Sequence, residues 1–273
     1  MGKQLVKQLL PVLDKMEWPK TRLATEQGRH IYVESLEKID AVKGDPKTVS
    51  AALRLLQTAD SLPFAYAGVA YVLVTMARES DGSYAQVGLD AAMEWLERAQ
   101  EMEPDVVEIN MIEALVYIYS GRLDDARLIL NYLQGQEPLN YYLHLAEVVY
   151  WRNQRDIEQA LYWFKEAMEI ALTVPQRLRL RVQMGDFYLE CNQLDKALEV
   201  YREAIHFDRE NAQLWHKMSI VYLRQENYEE AERANHTTLR LQDFAAARQI
   251  ETIIKKKKSG TGVLGRLFGR QDD

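Results

Sequence analysis

A period of 34 residues constrains this chain more than any other feature. Between Leu178 and Asn211, Gly185, Tyr188, Ala197, Tyr201 and Ala204 stand at fixed offsets. The next 34 residues, Ala212 to Ala245, place Ser219, Tyr222 and Ala231 at the same offsets, with Trp215 and Tyr228 beside them. Apolar positions spaced by three, four and seven mark two short amphipathic helices per period. One such hairpin cannot bury its own apolar face, so successive hairpins must stack on one another.

The second helix of each unit carries the clearest stripe. It opens on Ala51, Ala92, Ala126, Ala160, Ala197 and Ala231, at separations of 41, 34, 34, 37 and 34. Four residues on stand Leu55, Leu96, Leu130, Phe164, Tyr201 and Asn235; seven on stand Thr58, Ala99, Leu133, Ala167, Ala204 and Thr238. Pro63, Pro104 and Pro138 follow twelve residues after the first three alanines and end those units. In the first helices, Gly68, Ala114, Gly185 and Ser219 lie three residues before Tyr71, Tyr117, Tyr188 and Tyr222. A small residue there lets two helices approach, and the aromatic fills the space beside it. The hairpin near Tyr141 admits two registers. Tyr150 pairs with Glu147 at the small site, or Trp151 pairs with Val148; the first is used for the projection below.

Around these units, residues 3–16 form an amphipathic helix interrupted by Pro11, either a cap or a partner-binding arm. A helix is expected from about Thr21 to Val42, then a stop and restart at Gly44-Asp45-Pro46. The insertion Glu79–Gly88 reads as a mobile loop. The expected organisation is an arm over 1–20, an array over 21–250 and a basic, glycine-containing, flexible tail over 251–273.

Small, aromatic, alanine and proline positions in this order resemble the tetratricopeptide repeat family, over roughly Val42 to Phe244. The resemblance implies an all-α, right-handed α-solenoid of about six helix-turn-helix hairpins. It also implies that the first helix of each hairpin lines a concave groove that takes a peptide or protein. The projected groove runs through Leu62, Ala65, Val69 and Val72; Glu108, Met111, Leu115, Ile118 and Tyr119; and Tyr141, His144, Val148, Trp151 and Arg152. It continues through Arg179, Val182, Asp186 and Glu190, then Gln213, His216, Ile220 and Arg224. A one-residue error in register would swap groove for core. Family members that clamp the acidic C-terminus of chaperones carry Lys and Asn on this face. Here Ala65, Val69, Met111, Leu115, Val182, Asp186, His216 and Ile220 hold those sites, so that partner is not expected.

Charge narrows the partner further. The chain's net charge is -7, yet residues 251–273 carry +3, leaving -10 on the rest. An acidic body does not suit phosphate neutralisation, so nucleic acid is not expected. Cys191 is the one cysteine, which suits a reducing, cytoplasmic setting. The histidines are scattered, and the chain has no phosphate-binding glycine loop, zinc helix or nucleophile elbow, so no cofactor, metal or catalytic residue is assigned. Lys255, Lys256, Lys257 and Lys258, followed by Leu264, Leu267 and Phe268, make a basic-apolar tail. It is either plain disorder, a partner motif or a contact with an anionic membrane surface. Association of end hairpins between copies is left open.

Overall fold

The computed structural model describes residues 2–41, 46–79 and 81–268. Among them the chain is all-α. Twelve helices form sequential antiparallel hairpins: α2 (Glu26–Ala41) with α3 (Pro46–Gln57), α4 (Leu62–Met76) with α5 (Gln86–Gln100), and α6 (Val107–Tyr119) with α7 (Leu123–Gln136). Then come α8 (Tyr141–Asn153) with α9 (Ile157–Ile170), α10 (Val174–Glu190) with α11 (Leu194–Phe207), and α12 (Ala212–Arg224) with α13 (Tyr228–Leu241). Helix α1 (Gly2–Leu13) precedes them and α14 (Ala245–Phe268) follows. Residues 1–170 and 171–273 are two separate compact units.

The stripe of the second helices is the core of both units. Ala92, Leu96 and Ala99 have no exposure, nor do Ala126, Leu130 and Leu133, or Ala197, Tyr201 and Ala204. Ala160, Phe164 and Ala167 are equally enclosed, as are Ala231, Asn235 and Thr238. In α3 the stripe falls one residue later than expected. Ala51 is exposed, while Ala52, Leu56 and Ala59 are buried. The cause is a neighbour: Leu56 lies where a side chain on Gly68 of α4 would stand, 2.4 Å from that missing Cβ. The same logic closes the α10–α11 hairpin, where the Tyr201 ring would be 2.4 Å from a Cβ on Gly185.

The turns fix the register. In four hairpins the backbone N–H two residues past the cap donates to a carbonyl five residues back: Arg122 to Tyr117, Asp156 to Trp151, Gln193 to Tyr188, and Asn227 to Tyr222, at 2.8–3.0 Å. Each closure passes through one left-handed residue, Gly121 (φ 76°), Arg155 (φ 60°), Asn192 (φ 56°) and Glu226 (φ 58°). Trp151 therefore stands with Tyr117, Tyr188 and Tyr222. The projection that used Tyr150 is corrected by one residue.

In the first unit, α1 packs on α4 and α5, burying Val6 and Leu13. The carboxylate of Glu79 accepts from the N–H groups of Gly2 and Lys3, at 2.9 and 2.8 Å. The chain from Asp14 to Thr25 is a pinned connector, which explains why α2 begins at Glu26 and not near Thr21. Trp18 sits edge-on to Tyr66 and Trp95, and the Leu62 N–H donates to the Thr21 carbonyl at 2.8 Å. The expected helix end and restart at Val42–Asp45 lie outside the described residues; α3 begins at Pro46. The insertion after α4 is folded back on itself. Arg78 and Tyr84 form an antiparallel bridge, the Glu79 N–H donates to the Ser83 carbonyl, and Asp81 accepts from the Ser83 N–H and hydroxyl. In the second unit α14 runs unbroken from Ala245 to Phe268, packing on α12 and α13 and crossing the expected tail boundary at 250/251.

The left-handed turn residues carry a backbone strain that glycine lacks. Arg155→Gly and Glu226→Gly should each raise stability by about 1 kcal/mol. Gly185→Ala should lower it by about 1–3 kcal/mol, because the new methyl meets a ring already enclosed. Urea unfolding midpoints measured on the three variants check both signs.

Candidate functional site

With the register corrected, the face expected to line a groove passes in α8 through Tyr142, Leu145, Val149 and Arg152. Tyr141, His144 and Val148 are buried, and Trp151 is half-buried in the aromatic position of its hairpin. His144 makes a 2.8 Å hydrogen bond between Nε2 and the Pro138 carbonyl, and its ring packs edge-on to Trp163. Trp151 packs edge-on to Tyr150, and the Arg127 guanidinium lies over both rings, at 4.9 Å from Tyr150 and 5.9 Å from Trp151. Arg127 also holds the fully buried carboxylate of Glu147 through two nitrogens, at 2.8 and 2.5 Å. A buried carboxylate needs such a partner, so these side chains form a structural core.

The other expected groove residues of the first unit are largely enclosed. Met111, Leu115 and Ile118 of α6 are buried, as are Ala65, Val69 and Val72 of α4. Helix α2 packs on α3 and α4, and three of its side chains bond further along, to α6 and α8. The Tyr32 hydroxyl donates to the Glu108 carbonyl at 3.3 Å, Arg29 pairs with the Glu108 carboxylate at 3.3 Å, and the Tyr142 hydroxyl donates to Glu37 at 3.3 Å. The Tyr71 hydroxyl of α4 donates to Asp40 at 2.7 Å. Burial pushes the Glu108 carboxyl above its ordinary value, with Arg29 opposing. Tyr119 is half-buried, and Tyr84 of the insertion stacks on it with ring centroids 3.9 Å apart. Burial drives the Tyr119 hydroxyl well above its usual range, and the Arg152 charge opposes that. None of these contacts was legible from the repeat pattern, because α2 departs from it and the insertion lies outside it.

In the second unit the corresponding face is more open. Val182, Asp186 and Ile220 are half-buried, and Glu190, Gln213 and Arg224 are exposed. Asp186 is the hub. It accepts from the Tyr201 hydroxyl at 2.6 Å and pairs with Lys217 of α12 at 2.6 Å. Burial, and then the Asp186 charge, push the Tyr201 hydroxyl far above its usual range, so it remains a donor. Arg224 of α12 donates to the Leu189 carbonyl of α10 at 3.1 Å, a second tie between the two first helices. Arg179 is half-buried on α10, whereas His216 is buried with its ring edge-on to Phe244. Burial and the neighbouring Lys217 charge hold His216 below the ordinary imidazole value.

Lys255, Lys256, Lys257 and Lys258 are exposed on α14, with Lys255 bonded to Glu251 and Lys258 to Glu232. The side chains of Leu264, Leu267 and Phe268 lie outside the described residues. Among the described residues no group of three or more His, Cys, Asp or Glu side chains is placed to hold a metal ion. No helix among them is long and apolar enough to cross a membrane.

A family model described as TPR repeat matches residues 185–226, within the second unit. The human protein O-mannosyl-transferase TMTC3 is 26% identical over 165 residues, covering 60% of this chain and 17% of that protein. Its mouse counterpart is 26% identical over 153 residues, covering 56% and 15%. The chain thus spans less than a fifth of the length of the curated relatives it matches. Among solved structures, pilF of Pseudomonas aeruginosa has a TM-score of 0.54 at 15% identity, covering 77% of this chain and 93% of its own. Yeast Tom70 has a TM-score of 0.53 at 14% identity, covering 99% and 62%. At such identities these structures share the fold of the chain.

Trp151→Ala should cost about 3 kcal/mol of stability, whereas Arg152→Ala, at the margin of the same helix, should cost under about 1 kcal/mol; urea denaturation of each separates them. His216 gives a pH signature. Its folded-state value lies below the unfolded one, near 6.5, so its contribution is full above that pH and is lost as pH falls through the folded value. The unfolding midpoint should therefore drop between pH 7 and 5, and His216→Gln should flatten that drop.

Proposed function

We propose that this chain, which matches the TPR repeat model over residues 185–226, is a non-enzymatic scaffold of the cytoplasm that binds an extended segment of a protein partner along its first helices. The observation that carries this reading is the face of α10 and α12. It is braced from within by Asp186, Lys217 and Tyr201, while Val182 and Ile220 keep apolar surface within reach of solvent. By helical spacing Arg179 and Glu190 share the α10 face of Val182, and Gln213 and Arg224 the α12 face of Ile220. An apolar strip with mixed charge at its margins suits a segment that docks one or two large side chains and fixes its direction by charge. Rigid helices carry the strip, so little ordering cost falls on the protein.

A second reading attaches the array to an anionic membrane surface through α14. It is favoured by four exposed lysines on a helix that continues to Phe268. Each basic residue near such a surface contributes ~1 kcal/mol.

Two experiments separate the readings. A photoreactive amino acid at Gln213 of the full chain should yield one discrete protein adduct in native lysate, while the same group at exposed Glu199 of α11 should not. Val182→Asp with Ile220→Asp should weaken that capture at least ~10-fold, as loss of a binding anchor does. Equal adducts from both positions, or none, would remove the groove reading. Flotation of the full chain with anionic vesicles, abolished by replacing the four lysines with glutamine, would support the second.

A further inference from the structure

The outer face of α7 departs from those of other second helices. Between Asp125 and Glu137 it exposes Leu128, Asn131, Tyr132, Gly135 and Gln136, which helical spacing puts on one side. None carries a charge, and Arg127, the one charged residue of that span, is turned to Glu147. By contrast α5 exposes Asp90, Glu94 and Glu97, and α11 exposes Asp195, Glu199 and Arg202. Leu128 is 70% and Tyr132 47% exposed, and Leu139, in the turn after the helix, is 77% exposed. The Tyr132 hydroxyl donates to Asp105 at 3.5 Å, a contact made at the tip of the side chain.

Gly135 is a second, independent observation. Glycine is a poor helix former, so a helical glycine calls for a physical reason. Gly68 and Gly185 have one, since Leu56 and Tyr201 lie where their side chains would stand. Ser61 and Ala77 crowd Gly28 and Gly88 in the same way. A Cβ on Gly135 would meet nothing within 4 Å, and its φ is not left-handed, so it does not serve as a helix cap. The room it leaves is not filled by its own chain.

The exposed residues also read as a palindrome. Counting outward from the point between Leu133 and Gln134, Tyr132 mirrors Gly135, Asn131 mirrors Gln136 and Leu128 mirrors Leu139. A two-fold axis at that point, between two antiparallel α7 helices, sets each residue against its mirror. Each tyrosine ring then fills the room over a glycine, amides that both donate and accept meet, and leucines close the two ends. Copies with a net charge of -7 repel one another, and an uncharged face adds nothing to that repulsion.

We propose that two copies of this chain pair through α7, antiparallel about a two-fold axis, with Tyr132 of each seated over Gly135 of the other. The contact repeats between molecules the fit of Tyr201 on Gly185 within one. It uses a second helix of the first unit and does not depend on the reading of α10 and α12.

The test is sedimentation velocity of the full chain. One helix from each copy buries less than the roughly 1,200 Å² at which stable interfaces begin, so association belongs in the micromolar range, and about 1–100 µM protein brackets it. Leu128→Glu with Tyr132→Glu, both at exposed sites, should weaken the dimer at least ~10-fold with the circular dichroism unchanged. Gly135→Leu separates a fitted seam from a merely sticky surface. It adds apolar area and favours the helix, yet should weaken the dimer at least ~10-fold, because the leucine takes the seat of the ring. Disulfide trapping in a Cys191→Ser background reads the orientation: Asn131→Cys mixed with Gln136→Cys should cross-link several-fold faster than either chain alone. A monomer at every concentration overturns the proposal and leaves the face to a different protein. Undiminished association of Gly135→Leu, or self-cross-linking as fast as that of the mixture, overturns it as well.

Discussion

The tightest helix contacts here depend on one steric condition: a glycine on one helix, and a large side chain from another seated against its backbone. Gly185 with Tyr201 and Gly68 with Leu56 are the clearest cases, since in each a single added methyl has nowhere to go. Close approach lets the alanine stripe of the second helix lie flush, which is why Ala92, Ala126, Ala160, Ala197 and Ala231 are all fully enclosed. Dispersion contacts fall off steeply with distance, so this flush packing converts a modest apolar area into a well-defined interface. The tyrosines gain a second role from it. Tyr201 fills the space beside Gly185 and its hydroxyl then meets Asp186, joining the packing to the polar network of the next hairpin.

The two units use the same plan to different ends. In the first, the faces of the first helices are drawn together and covered, so aromatic and acidic side chains there bond to one another. In the second, the face of α10 and α12 stays within reach of solvent, and its charges are arranged around an apolar strip. The difference comes from particular residues. Tyr32 and Tyr142 are long enough to bridge from one first helix to another two or three hairpins away. In the second unit Lys217 and Arg224 satisfy their partners across the nearest neighbour only.

Most of the fold was written in the spacing of small and aromatic residues. Five of six alanine stripes fall at the expected residues, and the helix-turn-helix order follows from the acidic and polar turns between them. Where the pattern misled, the reason is local. The α8–α9 hairpin offers adjacent aromatics, and only the turn geometry selects Trp151; its distance of nine residues to Ala160, matching Tyr117 to Ala126 and Tyr188 to Ala197, was the available signal. In α3 three consecutive small residues, Ser50, Ala51 and Ala52, hid a shift that Gly68 of the next helix decides. The candidate site was less legible than the fold. A repeat pattern tells which helix faces the groove, but not that Tyr32 of α2 would reach α6 or that Tyr84 would fold onto Tyr119. Those contacts join residues far apart in sequence, and no periodicity encodes them.

Asp186 has a consequence for how strain and fluctuation travel along the second unit. A stack of repeats behaves as a one-dimensional lattice, in which each site has its own tendency to order and a term for agreement with its neighbour. Here much of the polar part of one neighbour term converges on a single carboxylate, shared by Tyr201 of its own hairpin and Lys217 of the next. A lattice whose neighbour terms differ does not melt evenly. Each hairpin holds together through its enclosed stripe, as α12 and α13 do through Ala231, Asn235 and Thr238, and order parts first at the joint between hairpins. Neutralising that carboxylate would weaken the joint, and the motions of the two hairpins would become less correlated.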